Sequence, residues 1–113
     1  GLIAALGEPN PWLRRAAALA LGRIGERAAL GPLLNALEDE QAIVRQAAAQ
    51  ALGMLGDPAA VPHLAARLED SGEHRLGRVR DAAAEALARI GTPEALAALA
   101  AHEPHREHRP GDA

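Results

Sequence analysis

The residues most suited to chemistry lie near the end of the chain, where three histidines and two glutamates fall within His102–His108, read as HEPHREH. Imidazole and carboxylate groups are ligands that zinc and other divalent ions take in proteins. The segment matches neither HExxH nor HxxEH, because Arg106 stands where the first motif needs its second histidine. Pro104 is also expected to break the helix that would align His102 with later ligands. We therefore predict no functional metal site and no cofactor, with a metal-dependent enzyme as the alternative.

The elements that precede this segment follow a repeated pattern. It occurs as LRRAAALALGRIG, VRQAAAQALGMLG and VRDAAAEALARIG, at Leu13–Gly25, Val44–Gly56 and Val79–Gly91. Apolar residues recur at offsets 3, 4, 7, 8 and 11 in each copy. This spacing predicts an α-helix of about three turns with one apolar stripe. Three copies of one helix indicate a repeat protein.

A second, shorter helix is predicted after each copy, so the chain divides into helix pairs. Asn10, Asp57 and Thr92 each precede a proline and are expected to cap helices. The predicted divisions within a repeat domain at 1–104 are a partial repeat at 1–7, repeats at 8–38, 39–69 and 70–104, and a polar tail at 105–113. Glu103 falls where the core stripe would continue, so the array is expected to end there.

The second interval between repeats is longer than the first. Gly25 and Gly56 are 31 residues apart, whereas Gly56 and Gly91 are 35 apart. The four extra residues lie within 71–78, read as SGEHRLGR. Insertions in repeat proteins collect in loops on one face, often a face that binds.

Acidic and arginine residues recur at fixed positions in the turns and helix starts. We call the acids Glu8, Asp39 and Asp70, together with Arg14, Arg45 and Arg80, the ladder. The acid precedes the arginine by six residues twice, and by ten where the insertion falls. We expect these groups to hydrogen-bond along the stack and to fix its register.

Composition excludes several classes of protein. The chain holds 12 basic and 15 acidic residues, and every basic residue is arginine, so nothing favours a phosphate-binding face for nucleic acid. The absence of cysteine excludes thiolate metal sites and cysteine nucleophiles. No apolar run is long enough to span a membrane, and no signal peptide is recognisable, so we expect a cytoplasmic protein.

These features together resemble the HEAT-like repeats of the phycobilin-lyase type. The residues that carry the resemblance are Leu13-Arg14 with Leu21–Gly25, Val44-Arg45 with Leu52–Pro62, and Val79-Arg80 with Ile90–Pro93. The resemblance covers residues 2 to 103. It implies an all-α fold, a right-handed α-solenoid of about three helix pairs. It leaves function open, because such repeats serve as interaction scaffolds, lyases, hydroxylases and glycosylases.

The enzymes of this family differ from the chain at the residues that bind iron or DNA. HEAT-like deoxyhypusine hydroxylases bind iron through His-Glu pairs, but the matching positions here are Arg15-Ala16, Gln46-Ala47 and Asp81-Ala82. HEAT-like DNA glycosylases need a basic face with aromatic residues, and Trp12 is the single aromatic residue. A lyase subunit stays open as the alternative, although no bilin pocket is recognisable.

The candidate partner-binding residues lie on the second helices, which the resemblance places on the concave face. His63 and Arg67 are one turn apart in repeat 2, His102 takes the place of Arg67 in repeat 3, and Asn35 marks the region in repeat 1. They form either a polar groove or a solvated face. Trp12 either covers the first repeat or forms a binding hot spot.

We therefore predict a protein–protein interaction scaffold that is not an enzyme and is a module of a larger protein. Its partner is another protein or another part of its parent chain, with no nucleic acid and no membrane. The apolar residues Leu2, Ile3 and Leu6 have no preceding unit to cover them, which predicts weak self-association through this edge.

Overall fold

The computed structural model describes residues 1–75 and 77–107, with 103–107 described by their backbone alone. The helices are α1 (Leu2–Ala5), α2 (Pro11–Ile24), α3 (Leu30–Ala36), α4 (Ala42–Leu55), α5 (Val61–Ala66), α6 (Val79–Ile90) and α7 (Pro93–Glu107). Short 3₁₀ turns at Arg27–Ala29, Pro58–Ala60 and Arg67–Glu69 flank α3 and α5. The prediction of an all-α solenoid is confirmed.

The ends of the long helices follow from their capping residues. The Asn10 side chain accepts a hydrogen bond from the Trp12 backbone N–H at 2.8 Å, and Pro11 occupies the first helical position. α2 ends at Gly25, whose φ of 77° places it in the left-handed region that closes helices. Gly56 and Gly91 end α4 and α6 in the same conformation.

The core is a layer of small residues between the long helices, closed by leucines from the short ones. α4 lies between α2 and α6, and α3 and α5 pack against the long helices that follow them. Val44, Ala47, Ala48, Ala51 and Leu52 are all at least 98% buried, as the stripe predicts. The largest fully buried side chains are Leu33, Leu37, Val44, Leu52, Leu64, Val79 and Leu87.

Three features differ from the sequence prediction. Ile24, at offset 11 of the first apolar stripe, is 56% exposed. Leu13, which the pattern places in the core, is 50% exposed. In the next unit α3 covers the equivalent residue Val44, but before Leu13 the corresponding place is taken only by the four-residue α1. α7 continues through Pro104 to Glu107, where a break was expected. A proline within a helix removes one backbone hydrogen bond, and a helix can continue past that loss.

The insertion forms a small antiparallel hairpin. β1 (Glu73–His74) pairs with β2 (Gly77–Arg78), with Glu73 opposite Arg78 and His74 opposite Gly77. Both strands contact α4, so the hairpin is packed on the solenoid.

Candidate functional site

The first ladder arginine joins its own turn to the next unit. Arg14 donates from Nη1 to the backbone carbonyls of Glu8 at 2.7 Å and Pro9 at 2.9 Å. Its Nε and Nη2 donate to the Asp39 carboxylate at 2.8 and 3.1 Å. Arg14 therefore meets the backbone of the acid six residues earlier and the carboxylate of the acid 25 residues later.

Arg45 repeats this arrangement one unit further on. It donates to the carbonyls of Asp39 and Glu40 at 2.7 and 3.2 Å, and to both oxygens of Asp70 at 2.7 and 3.2 Å. Burial raises the pKa of Asp70, but hydrogen bonds from Arg45 and Gly72, with the charges of Arg45 and Arg67, hold it below its ordinary value. The Asp70 carboxylate is therefore ionised and fixed at the junction between two units.

The remaining ladder residues lie at the two ends of the stack. Arg80 is exposed, and within residues 1–75 and 77–107 its side chain has no hydrogen-bond or ion-pair partner. The Glu8 carboxylate is likewise exposed and unpaired among the described residues, since Arg14 uses only its backbone carbonyl.

The candidate residues on the second helices have different surroundings. Arg67 donates to the Leu37 carbonyl at 3.5 Å and to Asp70 at 3.4 Å, so it contributes to the junction between units. Asn35 and His63 are exposed. His102 lies on α7 with its Nε2 3.7 Å from a Glu69 oxygen. The structure thus brings Arg67 to the ladder and His102 to the end of repeat 2, and leaves Asn35 and His63 as exposed polar groups.

Trp12 is 48% exposed at the start of α2. The guanidinium carbon of Arg15 lies 6.0 Å from the centre of its ring, within the range of a cation–π contact. An exposed tryptophan of this kind offers an apolar contact surface.

The hairpin adds a partly buried polar contact that the sequence did not predict. His74 Nε2 lies 2.6 Å from Oε1 of Gln46, which is 7% exposed. Burial of His74, together with the charges of Arg15 and Arg75, lowers its pKa. Two residues in the sequence could have indicated this contact. Gln46 is a polar residue inside an Ala-rich helix, and His74 is a histidine in the long insertion between repeats.

The predicted metal-ligand segment falls largely outside the described side chains. His102 is described, whereas the side chains of residues 103–107 and all of residues 108–113 are not. The polar tail predicted at 105–113 lies in the same part. Among the described residues no group of three or more potential ligands could hold a metal ion.

Large apolar side chains are exposed at the edge formed by α1 and α2. Leu2, Ile3 and Leu13 are 36%, 45% and 50% exposed, and Trp12, the neighbour of Leu13 on α2, is 48% exposed. We call these four residues the N-terminal edge. Weak self-association through Leu2, Ile3 and Leu6 stays a prediction, although Leu6 is partly buried against the core. No helix in the described part of the chain is long and apolar enough to cross a membrane.

Comparison with known proteins identifies the family. Residues 1–76 match the family described as HEAT repeats. The chain belongs to the HEAT repeat family. Residues 79–102 of this HEAT repeat protein match the PBS lyase HEAT-like repeat. The expected resemblance is therefore confirmed.

One solved structure is similar over nearly the whole length of the HEAT repeat chain. It is the complex of CpcE and CpcF of phycocyanin lyase from Nostoc sp. PCC7120, with 32% sequence identity and a TM-score of 0.70. The match covers 97% of this chain and 53% of that one, so this chain spans about half its length. No curated protein matches the chain.

The prediction that the chain is not an enzyme is wrong. Both the PBS lyase repeat and the phycocyanin lyase structure point to a lyase-related enzymatic function. Convergent ligands within one chain are not needed for such a function, since the similar structure is a complex of two proteins.

Proposed function

We propose that this HEAT repeat chain is a module of a lyase of the phycocyanin lyase kind, in which its part is to bind another protein. The observation that carries the proposal is the 32% identity over 97% of the chain to a protein solved in a two-protein lyase complex. A rigid stack of helix pairs suits this part, because its surface residues vary without disturbing the buried small residues between helices.

In the proposed lyase this chain binds another protein, and it holds a bilin only together with a second component. A groove of about 100 Å³ between α4 and α6 is lined by Gln50, Met54, Glu85, Ala86 and Arg89. Pockets that enclose a ligand of drug size have volumes of roughly 300–1,000 Å³. A second depression of about 460 Å³ is open to solvent and lies over the first ladder turn, lined by Pro9, Pro11, Arg14, Glu38, Asp39, Glu40 and Gln41. Arg14 and Asp39 are bonded to each other there, so the depression offers a polar wall and no enclosed apolar pocket. In the proposed lyase a bilin is therefore held between this chain and a second component.

The partner-binding surface includes the exposed polar residues of the second helices. Asn35 on α3 and His63 on α5 occupy successive units, and both side chains are exposed. A partner that spans both units would contact them together. Arg67 is less suited to this role, because it already bonds Leu37 and Asp70.

The test is a binding measurement with defined proteins. The chain is titrated separately against CpcE, CpcF and phycocyanin from Nostoc by calorimetry, with size-exclusion chromatography as a second readout. We expect a 1:1 complex with one of the three, weakened by about fivefold or more in the double variant Asn35→Ala with His63→Ala. Glu26→Ala, an exposed residue after α2, is the control and should leave the affinity unchanged.

Two results would contradict the proposal. One is that the chain binds none of the three proteins at concentrations where CpcE and CpcF bind each other. The other is that the double variant and Glu26→Ala weaken binding equally, which would remove the assigned surface.

A further inference from the structure

The hairpin between the second and third units is attached to the stack at more than one point. At its base, the Gly72 N–H donates to the Asp70 carboxylate at 2.8 Å. Further out, His74 Nε2 lies 2.6 Å from Oε1 of Gln46 on α4. A Cβ on Gly77 would lie 2.5 Å from Nε2 of the same glutamine, so the second strand is also close to it. The residues that the hairpin carries therefore have defined positions over α4.

Two arginines come together beside this hairpin. Arg75 follows His74 in the turn and is exposed. Arg15 comes directly after the ladder arginine of α2, as Gln46 does in α4, and these two helices pack against each other. The positive charges of Arg15 and Arg75 both lower the pKa of His74, so both guanidinium groups lie near its ring. Two elements that are distant in sequence thus bring two positive charges to one place.

No acid in the described part of the chain is bonded to either of these guanidinium groups. Among residues 1–75 and 77–107, the contact of Arg15 is with the ring of Trp12, and Arg75 has no hydrogen-bond or ion-pair partner. Glu73 is the acid closest to Arg75 in sequence, but it accepts a hydrogen bond from Arg78 at 3.2 Å across the hairpin. The ladder arginines of the two junctions, in contrast, each bond a carboxylate. Arg15 and Arg75 are therefore available to acids of another molecule.

The chemistry of the two arginines indicates the kind of ligand. Guanidinium groups without an acid favour a ligand that carries oxyanions. A carboxylate pairs with one guanidinium through two parallel hydrogen bonds, so two arginines suit two acidic side chains of one segment. The chain as a whole has a net charge of −3, which disfavours the long run of phosphates in a nucleic acid. An acidic protein segment is the ligand whose charge fits this site.

We propose that Arg15 and Arg75 form a docking site for an acidic segment of a partner protein, with one carboxylate of the segment bonded to each guanidinium. The hairpin contributes by fixing the place of Arg75 relative to α2 before the partner binds, which lowers the entropic cost of binding. The site is separate from Asn35 and His63, which lie on the short helices. The inference rests on the proposed function only in taking the segment from a partner protein.

The test is a nuclear magnetic resonance titration of the full chain with a hexaglutamate peptide, in about 0.1 M salt, where the Debye length is about 10 Å. The side-chain Nε–H signals of Arg15 and Arg75 report binding at the site itself. We expect saturable binding, weakened about threefold by Arg15→Gln or by Arg75→Gln, as for exposed charge pairs. The double variant should lose about tenfold, because the two contacts are separate.

Matched controls separate the site from general attraction of charge. Arg23→Gln makes the same change of charge at an exposed arginine on α2. It lies about 12 Å from Arg15 along the helix axis, so the affinity should change by less than about 1.5-fold. A hexaglutamine peptide of the same length should not bind. Urea unfolding of each variant should match the parent, since neither Arg15 nor Arg75 bonds an acid of the described chain.

The ring of His74 gives a second readout. A carboxylate bound at each guanidinium offsets the two charges that lower the pKa of His74, so this pKa should rise when the peptide is added. The other charged groups on the helices that contact the hairpin are Arg45, which is bonded to Asp70, and Arg80 and Asp81 at the start of α6. The peptide should leave the pKa of His74 unchanged in the double variant.

Four results would overturn the inference. The first is no saturable binding of hexaglutamate, and the second is an equal loss for Arg23→Gln, Arg15→Gln and Arg75→Gln. The third is displacement of the peptide by an equal concentration of inorganic phosphate, which would indicate a site for a small anion. The fourth is tighter binding of an oligothymidylate, which would indicate a nucleic acid. Because the probe is a peptide, these results are independent of whether the chain binds CpcE, CpcF or phycocyanin.

Discussion

At the scale of single residues, the ladder arginines compensate two kinds of polar group at once. Arg45 hydrogen-bonds two carbonyls of its own turn and a carboxylate that is 7% exposed. Turn carbonyls and a largely buried carboxylate both need donors when water is excluded. One guanidinium meets both needs because its five N–H groups point in fixed directions.

We predict that Arg45→Ala lowers the free energy of unfolding by about 1–3 kcal/mol, since charged hydrogen bonds to partly buried groups are lost. Arg80→Ala is the matched control, because Arg80 begins the equivalent helix and is exposed. Its expected effect is within about 0.5 kcal/mol. Urea unfolding followed by circular dichroism measures both. Equal losses would show that the contacts of Arg45 do not stabilise the junction.

The lowered pKa of Asp70 predicts how stability depends on pH. The ionised carboxylate stabilises the fold above its ordinary pKa of 3.8, and this contribution is lost as pH falls through the lower pKa of the folded state. Stability should therefore decrease below about pH 5, and Asp70→Asn should show a shallower decrease. Identical slopes for the parent and Asp70→Asn would contradict the prediction.

At the scale of elements, the helices were predictable and the hairpin was not. The bounds of α2 follow from Asn10, Pro11 and Gly25, which are adjacent to it in sequence. The hairpin is stabilised by the contact of His74 with Gln46, which lies 28 residues away, and no alternating apolar pattern marks its short strands. Contacts between distant residues leave no periodic signal.

The candidate site shows the same division. The sequence spacing paired Arg14 with Glu8, the acid six residues before it. In the structure Arg14 bonds the carboxylate of Asp39, which lies 25 residues after it. Which turn faces a given helix depends on the direction of stacking, and that is a tertiary property. Nor does one chain's sequence reveal residues that a second protein contributes to a lyase.

The close contact of the long helices gives a prediction at this scale. Gly53→Ala should destabilise the protein by about 1–3 kcal/mol through overpacking, although alanine is the better helix former. The added Cβ would meet the Ala86 backbone at 2.9 Å. Gly31→Ala on α3 is the control, because nothing lies within 4 Å of its Cβ position. A thermal melt in which Gly31→Ala costs as much as Gly53→Ala would contradict close packing.

At the scale of the whole molecule, stability is expected to vary along the stack. Each unit of a solenoid contacts only its neighbours, so a helix with neighbours on both sides opens least often. α4 packs against both α2 and α6, whereas α1 has four residues and none of them is buried. α1 is thus the element that is expected to open most often.

Hydrogen–deuterium exchange tests this expectation. Amide protection should be greatest in α4 and lowest in α1, with α2 and α6 between them. Uniform protection from α2 to α6 would indicate that the stack unfolds as one unit.

The ladder also bears on how the length of such a molecule can change. Every ladder bond joins a unit to itself or to the next unit. Loss of residues 39–69 would place Asp70 at the separation from Arg14 that Asp39 has now, and Gly22 would face Ala86 as Gly53 does. The seam would keep the Arg–Asp bond and the Gly–Ala contact of an existing junction, and duplication of the same stretch would do likewise. Loss of the stretch would also place Arg15 where Gln46 now meets His74, and Ala36 where Arg67 now meets Asp70. Gain or loss of 31 codons therefore changes the molecule by one whole unit while the ladder and the close helix contact are kept.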